Sequence, residues 1–204
     1  MNRSSFYRIA LLSGVLVLVL AGCVLTEAIP SRRHPPVALQ DLLIDLATLP
    51  AGWNTDEISS IPRGASDDIG DESLMIVFSD PIPPLWRDGA YHLIYRFRNP
   101  ALAARLYRRM QNDIIFFRET GDPNKNDPRY WPYRSPYADD WRFACNFGGC
   151  GVIARYDEFV SIFSASMETP TMTPAALEAA LRAIDARMAD KLGKTPSTPA
   201  AEGK

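Results

Sequence analysis

Histidine is scarce in this chain of 204 residues, which has two, His34 and His92. Familiar acid–base and metal sites draw heavily on that residue, so most of them are excluded at the outset. The Gly-x-Ser-x-Gly elbow, the His-Glu-x-x-His helix and the glycine-rich phosphate loop are absent too. Charge of one sign is also missing. The 22 Lys and Arg residues against 24 Asp and Glu give a net charge of −2, with no basic excess to attract nucleic acid. Three cysteines are too few for a disulfide-rich scaffold. The longest apolar stretch, residues 9–20, falls short of the roughly 20 residues a membrane-spanning helix needs. These absences point to a noncatalytic protein with no cofactor and no metal.

What is present begins with an address. Arg3 and Arg8, the apolar stretch, and the small pair Ala21 and Gly22 before Cys23 follow the plan of a secretory signal peptide over residues 1–22. The segment Leu20-Ala21-Gly22-Cys23 resembles the lipobox of bacterial lipoproteins. That resemblance implies cleavage before Cys23, a diacylglycerol on its thiol and often a further acyl chain, such as palmitate, on its new amine. Two or three chains hold a protein stably at a membrane, whereas one binds marginally, each buried methylene adding about 0.8 kcal/mol. The membrane is then one partner, and the location is the extracytoplasmic face of the cell envelope. Val24 follows the cysteine where sorting in enterobacteria-like lipoproteins would need Asp for inner-membrane retention, which implies the outer membrane where there is one. An ordinary signal peptide with a chance cysteine is the alternative. Losing Arg3 and Arg8 leaves 20 basic residues against 24 acidic, a side-chain charge of −4.

Residues 23–36 hold Pro30, Pro35 and Pro36 with Arg32, Arg33 and His34, a composition suited to a tether. A single domain is expected over residues 37–193, followed by a disordered tail over 194–204. In an oxidising compartment Cys145 and Cys150 form a natural pair, because Gly148 and Gly149 between them can make a tight hairpin turn. Facing residues on paired strands bring their β-carbons close enough for a disulfide. A redox-active pair is the alternative, but it would want a helix terminus or a Cys-x-x-Cys spacing.

Leu39, Leu42, Leu43 and Leu46 recur at helical spacing up to Pro50, predicting a short amphipathic helix. Leu49-Pro50-Ala51-Gly52-Trp53 resembles a turn found near the start of many extracytoplasmic bacterial domains, where it introduces the first strand. Trp53 reads as a core plug. Strands are predicted over 74–78, 91–97, 142–146, 151–156 and 159–167, the last three as a meander. The strand at 91–97 places Tyr91, Leu93, Tyr95 and Phe97 on one face and His92, Ile94 and Arg96 on the other. Asn99 and Pro100 open one long helix, and Thr173 and Pro174 open another that Gly193 ends. The fold class is therefore α+β: a mixed or antiparallel sheet of about five strands, two long helices packed on it and a short N-terminal helix. In outline this element order resembles the PsbP-like fold of exported domains.

Residues 129–142 carry the recognition-type side chains Arg129, Tyr130, Trp131, Tyr133, Arg134 and Tyr137, rings and guanidinium groups of the sort that binding surfaces favour. Either they contact an envelope protein or glycan, or the segment folds back and buries its rings. Asp122, Asn124 and Asn126 imitate the start of a calcium loop, but Asp127 stands where glycine is needed and Tyr133 where a bidentate Glu is needed. The leading expectation is a lipid-anchored, noncatalytic binding or accessory domain. The alternatives are a hydrolase of unfamiliar type using His92 with Asp139 or Asp140, and a purely structural envelope lipoprotein.

Overall fold

A computed structural model of the chain describes residues 37–60, 70–80, 89–113, 133–146 and 149–196. A four-residue helix α1 (Leu39–Leu42) and a 3-10 turn (Leu46–Thr48) lead into strands β1 (Asn54–Ser59), β2 (Glu72–Ser79) and β3 (Gly89–Arg96). Helix α2 (Pro100–Asp113), strands β4 (Asp140–Asn146), β5 (Gly149–Tyr156) and β6 (Phe159–Ser166), and helix α3 (Pro174–Leu192) complete the order. The strands form one six-stranded sheet, β1-β2-β3-β6-β5-β4, in which every pairing is antiparallel. Two three-strand meanders thus meet at the central pair β3–β6.

Both faces of the sheet are covered, which is why its inner strands are apolar on alternate residues in both directions. On one face Ile94, Val152, Ala154, Tyr156, Phe159 and Phe163 pack against Leu177, Leu181, Ile184 and Met188 of α3 and against Leu42 to Ile44. On the other, Leu93, Ile153, Val160 and Ile162 pack against Ala103, Leu106 and Tyr107 of α2. The helix ends follow their sequence signals. Asn99 Oδ1 accepts the Leu102 amide at 3.0 Å, and Thr173 Oγ1 accepts the Ala176 amide at 3.2 Å ahead of Pro174. Gly193 closes α3 with φ 62°, and the Lys194 amide reaches back to the Ala189 carbonyl at 2.9 Å.

Two expectations need correction. The sheet has six strands rather than about five, because β1 forms although its sequence, Asn-Thr-Asp-Glu-Ile-Ser, has no apolar alternation. Its residues are exposed from Asn54 to Ile58, and it is an edge strand held by main-chain pairing to β2. The N-terminal leucines do not make one helix. Leu43 is extended, with φ −67° and ψ 145°, and the three consecutive residues Leu42, Leu43 and Ile44 are all buried, which a continuous helix would not allow. Lys194 follows the end of α3 and is drawn against the sheet by two carboxylates. Its Nζ lies 2.7 Å from Asp139 and 3.2 Å from Asp157. Among the described residues no helix is long and apolar enough to cross a membrane.

Candidate functional site

Asp185 sits on the buried stripe of α3, one helical turn beyond Leu181, and has no exposed surface. A buried carboxylate is costly unless its lone pairs are filled. Three hydroxyls fill them: Tyr156 from β5 donates at 2.8 Å, and Tyr133 and Ser135 donate closer still. Ser135 Oγ in turn accepts the amides of Tyr137 and Ala138 at 3.0 and 2.8 Å, so one serine turns the chain and ties it to the helix. Burial first, and then Asp185 beside them, push the Tyr133 and Tyr156 hydroxyls well above their ordinary range. Both tyrosines are therefore neutral donors at any physiological pH.

Around this anchor the aromatic segment is half-buried. The Tyr133 ring meets Trp141 edge-on at 5.6 Å, and the Arg182 guanidinium lies 4.2 Å from the Tyr133 ring centre. Arg182 is also bonded along α3 to Glu178 at 2.7 Å. The Trp141 indole nitrogen is buried with no hydrogen-bond partner among the described residues. Tyr137 packs at the margin of the core, whereas Arg134 is exposed. Arg129, Tyr130 and Trp131 lie outside the described residues, as does Cys23. The described half of the segment thus folds back at Tyr133 and Ser135 and leaves Arg134 outward between them.

The proposed partnership of His92 with Asp139 or Asp140 does not form. His92 points into the α3 face with no exposed surface. The Ile44 amide donates to its Nδ1 at 3.0 Å. That bond leaves Nε2 to carry the proton toward Ser161 Oγ, 2.9 Å away. Burial, aided by the nearby Arg187, lowers its pKa to about 3, so it stays neutral. Arg187 reinforces the same corner by binding the Leu43 carbonyl and Asp45. Asp140 lies in register with Arg155 on β5, then Val160 on β6 and Tyr95 on β3. Three strand spacings at about 4.8 Å separate its strand from β3, and a further three residues separate Tyr95 from His92, about 10 Å more. Asp139 and Asp140 instead hold Arg155, at 3.2 and 2.6 Å. His92 is a structural bracket for the chain at residues 43–45.

Cys145 and Cys150 face each other across β4 and β5, with Cα atoms 4.0 Å apart, and are joined by a disulfide. Cys150 is buried in the α3-side core, so the bond staples a hairpin and offers no exposed dithiol surface on that side. Among the described residues no group of three or more His, Cys, Asp or Glu side chains is arranged to hold a metal.

No family model matches the chain, and no curated protein matches it in sequence. Among solved structures, the extracellular domain of PknH from Mycobacterium tuberculosis is similar with a TM-score of 0.42 and 11% identity, over 78% of this chain and 98% of that one. At that score it lends this chain neither a function nor site residues. The residues that organise the site, Asp185, Ser135 and Tyr156, were not singled out from sequence. One signal was there to be read: an aspartate in register with Leu177, Leu181, Ile184 and Met188 on an otherwise apolar helix stripe.

Proposed function

We propose that the chain is a lipid-anchored, noncatalytic binding or accessory domain of the cell envelope, which contacts a protein or an envelope polymer through residues 129–137. The observation that carries this reading is the anchoring of the segment: Tyr133 and Ser135 are fixed to the buried Asp185 while Arg134 between them is exposed. A contact surface held on a rigid helix spends little ordering entropy when a partner binds. Arg134 and the aromatic side chains of the sequence just before it supply the residue types that dominate binding energy at interfaces. The engagement of both His92 nitrogens in the core supports a noncatalytic role, since it removes the one histidine of the domain from acid–base work. The lipobox-like segment ending at Cys23 supports the membrane location.

Two experiments test this. Intact mass measurement of protein purified from its native membrane should match residues 23–204 plus acyl chains. A mass that retains residues 1–22 without lipid overturns the anchor. For the contact, Trp131→Ala with Arg134→Ala in the lipidated protein should abolish cross-linking to envelope components at unchanged melting temperature. An undiminished cross-linking pattern overturns the assigned surface.

A further inference from the structure

Strand β1 forms one edge of the sheet, and the outer side of an edge strand offers main-chain donors and acceptors to a further strand. Among the described residues its bonds run inward to β2, apart from one that the Asn54 side chain donates back to the Gly52 carbonyl. Asn54 to Ile58 are all exposed. The register slips once, between Thr55 and Glu57, and Glu57, Ile58 and Ser59 then pair regularly with β2. No proline or lysine, the usual guards of an edge, interrupts the strand.

The side chains of this edge give it a chemistry. On the α3 face a row of residues in register crosses all six strands, from Phe143 through Val152, Phe163, His92 and Ile76 to Ile58. Val152, Phe163, His92 and Ile76 are buried, whereas Ile58, at the end of the row, is 55% exposed. The apolar layer thus ends in an open side chain. Glu57 points to the other face, beside Val77, and Asp56, in the bulge, accepts the Ser79 hydroxyl at 2.7 Å. Residues 46–60 hold no lysine or arginine, so neither acid has a basic neighbour along its strand. A second copy of the chain would bring Asp56 and Glu57 of both molecules to one junction, where like charges oppose pairing. The edge refuses itself and favours a basic strand.

We infer that the outer edge of β1 is a strand-addition site for an extended peptide segment that is basic on one face and apolar on the other. Main-chain bonds to β1 supply the affinity, and the side chains that meet Glu57 and Ile58 supply the selection. Successive residues of an added strand point to opposite faces, so a lysine or arginine facing Glu57 places an apolar side chain beside Ile58. β1 and β4 are opposite edges of the sheet, five strand spacings or about 24 Å apart. The site is therefore separate from Tyr133, which packs against Trp141 on β4, and it does not depend on the contact proposed for that segment.

The test uses the protein purified from its native membrane in non-ionic detergent and follows amide hydrogen exchange over residues 54–59 by mass spectrometry. The probes are acetylated and amidated hexapeptides: Lys-Val-Lys-Val-Lys-Val, the scrambled Lys-Lys-Lys-Val-Val-Val, and Glu-Val-Glu-Val-Glu-Val. At about four times its dissociation constant the alternating basic peptide should slow exchange of the outward amides about fivefold. The other two, at equal concentration, should leave it unchanged. Asp56→Asn/Glu57→Lys, both at exposed positions, should reverse the preference and respond to the acidic peptide alone. Absence of slowing by the alternating basic peptide up to millimolar concentration overturns the inference, and so does equal slowing by the scrambled or the acidic peptide. Protection that rises with protein concentration in the absence of peptide overturns it in favour of a second copy. A variant that keeps the wild-type preference overturns the selection assigned to Asp56 and Glu57.

Discussion

The two faces of the sheet are stabilised by different physics. The α2 face is closed by apolar side chains, Leu93, Ile153, Val160 and Ile162 against Ala103 and Leu106. The α3 face has a larger apolar cluster, and within it lie the two fully buried polar brackets: His92, joining the chain at Ile44 to Ser161, and Asp185, joining the aromatic segment to helix and sheet. Apolar contacts tolerate small rearrangements because their energy follows area. Hydrogen bonds to a buried charge or imidazole hold at one geometry only, and an unmade one costs more than a made one gains. The α3 face is thus where irregular chain is held in register, and the α2 face is where a regular helix is held by greasy contact.

The sharpest way to break that contrast is Asp185→Ala, which leaves three buried hydroxyls without their acceptor. It should cost about 3–5 kcal/mol and lower the melting temperature by on the order of 10 °C, read by circular dichroism. A loss below about 1 kcal/mol would mean the hydroxyls find water and the bracket is not structural.

Acid should separate the faces next. His92 has a folded pKa of about 3 against 6.5 unfolded, so between those values the unfolded chain binds the extra proton. Stability from this group is complete above pH 6.5 and falls as pH drops toward 3, by about 1.4 kcal/mol per unit. Urea titrations at pH 7, 6, 5 and 4 should show that slope, and His92→Gln should flatten it.

On the other face Leu106→Ala should cost about 2–3 kcal/mol by cavity formation, with a pH dependence no different from wild type. A steepened acid slope in that variant would show the two faces to be coupled. Smallest of all, Arg182→Ala removes an exposed guanidinium from the Tyr133 ring and should shift stability by about 0.5 kcal/mol. A loss of several kcal/mol there would make Arg182 part of the bracket around Asp185.

Much of this architecture is legible in the sequence. The long helices, with Asn99-Pro100 and Thr173-Pro174 at their starts and Gly193 at an end, carry their signals within a few residues. Four inner strands and β4 show apolar character strong enough to be read locally, each within about two residues of its bounds. What escaped is informative. β1 has no apolar pattern, because an edge strand exposed on both faces is held by the main chain of β2, and main-chain pairing leaves no trace in side-chain choice. The break after Leu42 escaped because leucine spacing fits a helix equally well. Distant partners hold the extended path: His92, 48 positions away, accepts the Ile44 amide, and Arg187 donates to the Leu43 carbonyl. In the candidate site, Tyr133, Arg134 and Tyr137 were visible as residue types, but whether they faced in or out depended on Asp185.

By itself, then, the sequence determined the α+β class, the helix caps, the inner strands, and the facing of Cys145 and Cys150 across a hairpin. Each of these follows from local periodicity, capping or composition. Tertiary structure alone decided that His92 is a buried bracket, that Asp139 and Asp140 belong to Arg155 and Lys194, and that Tyr133 and Ser135 meet Asp185 across some 50 residues. Such pairings depend on which strands become neighbours and which face a helix covers, and neither is written in the spacing of the residues that finally touch.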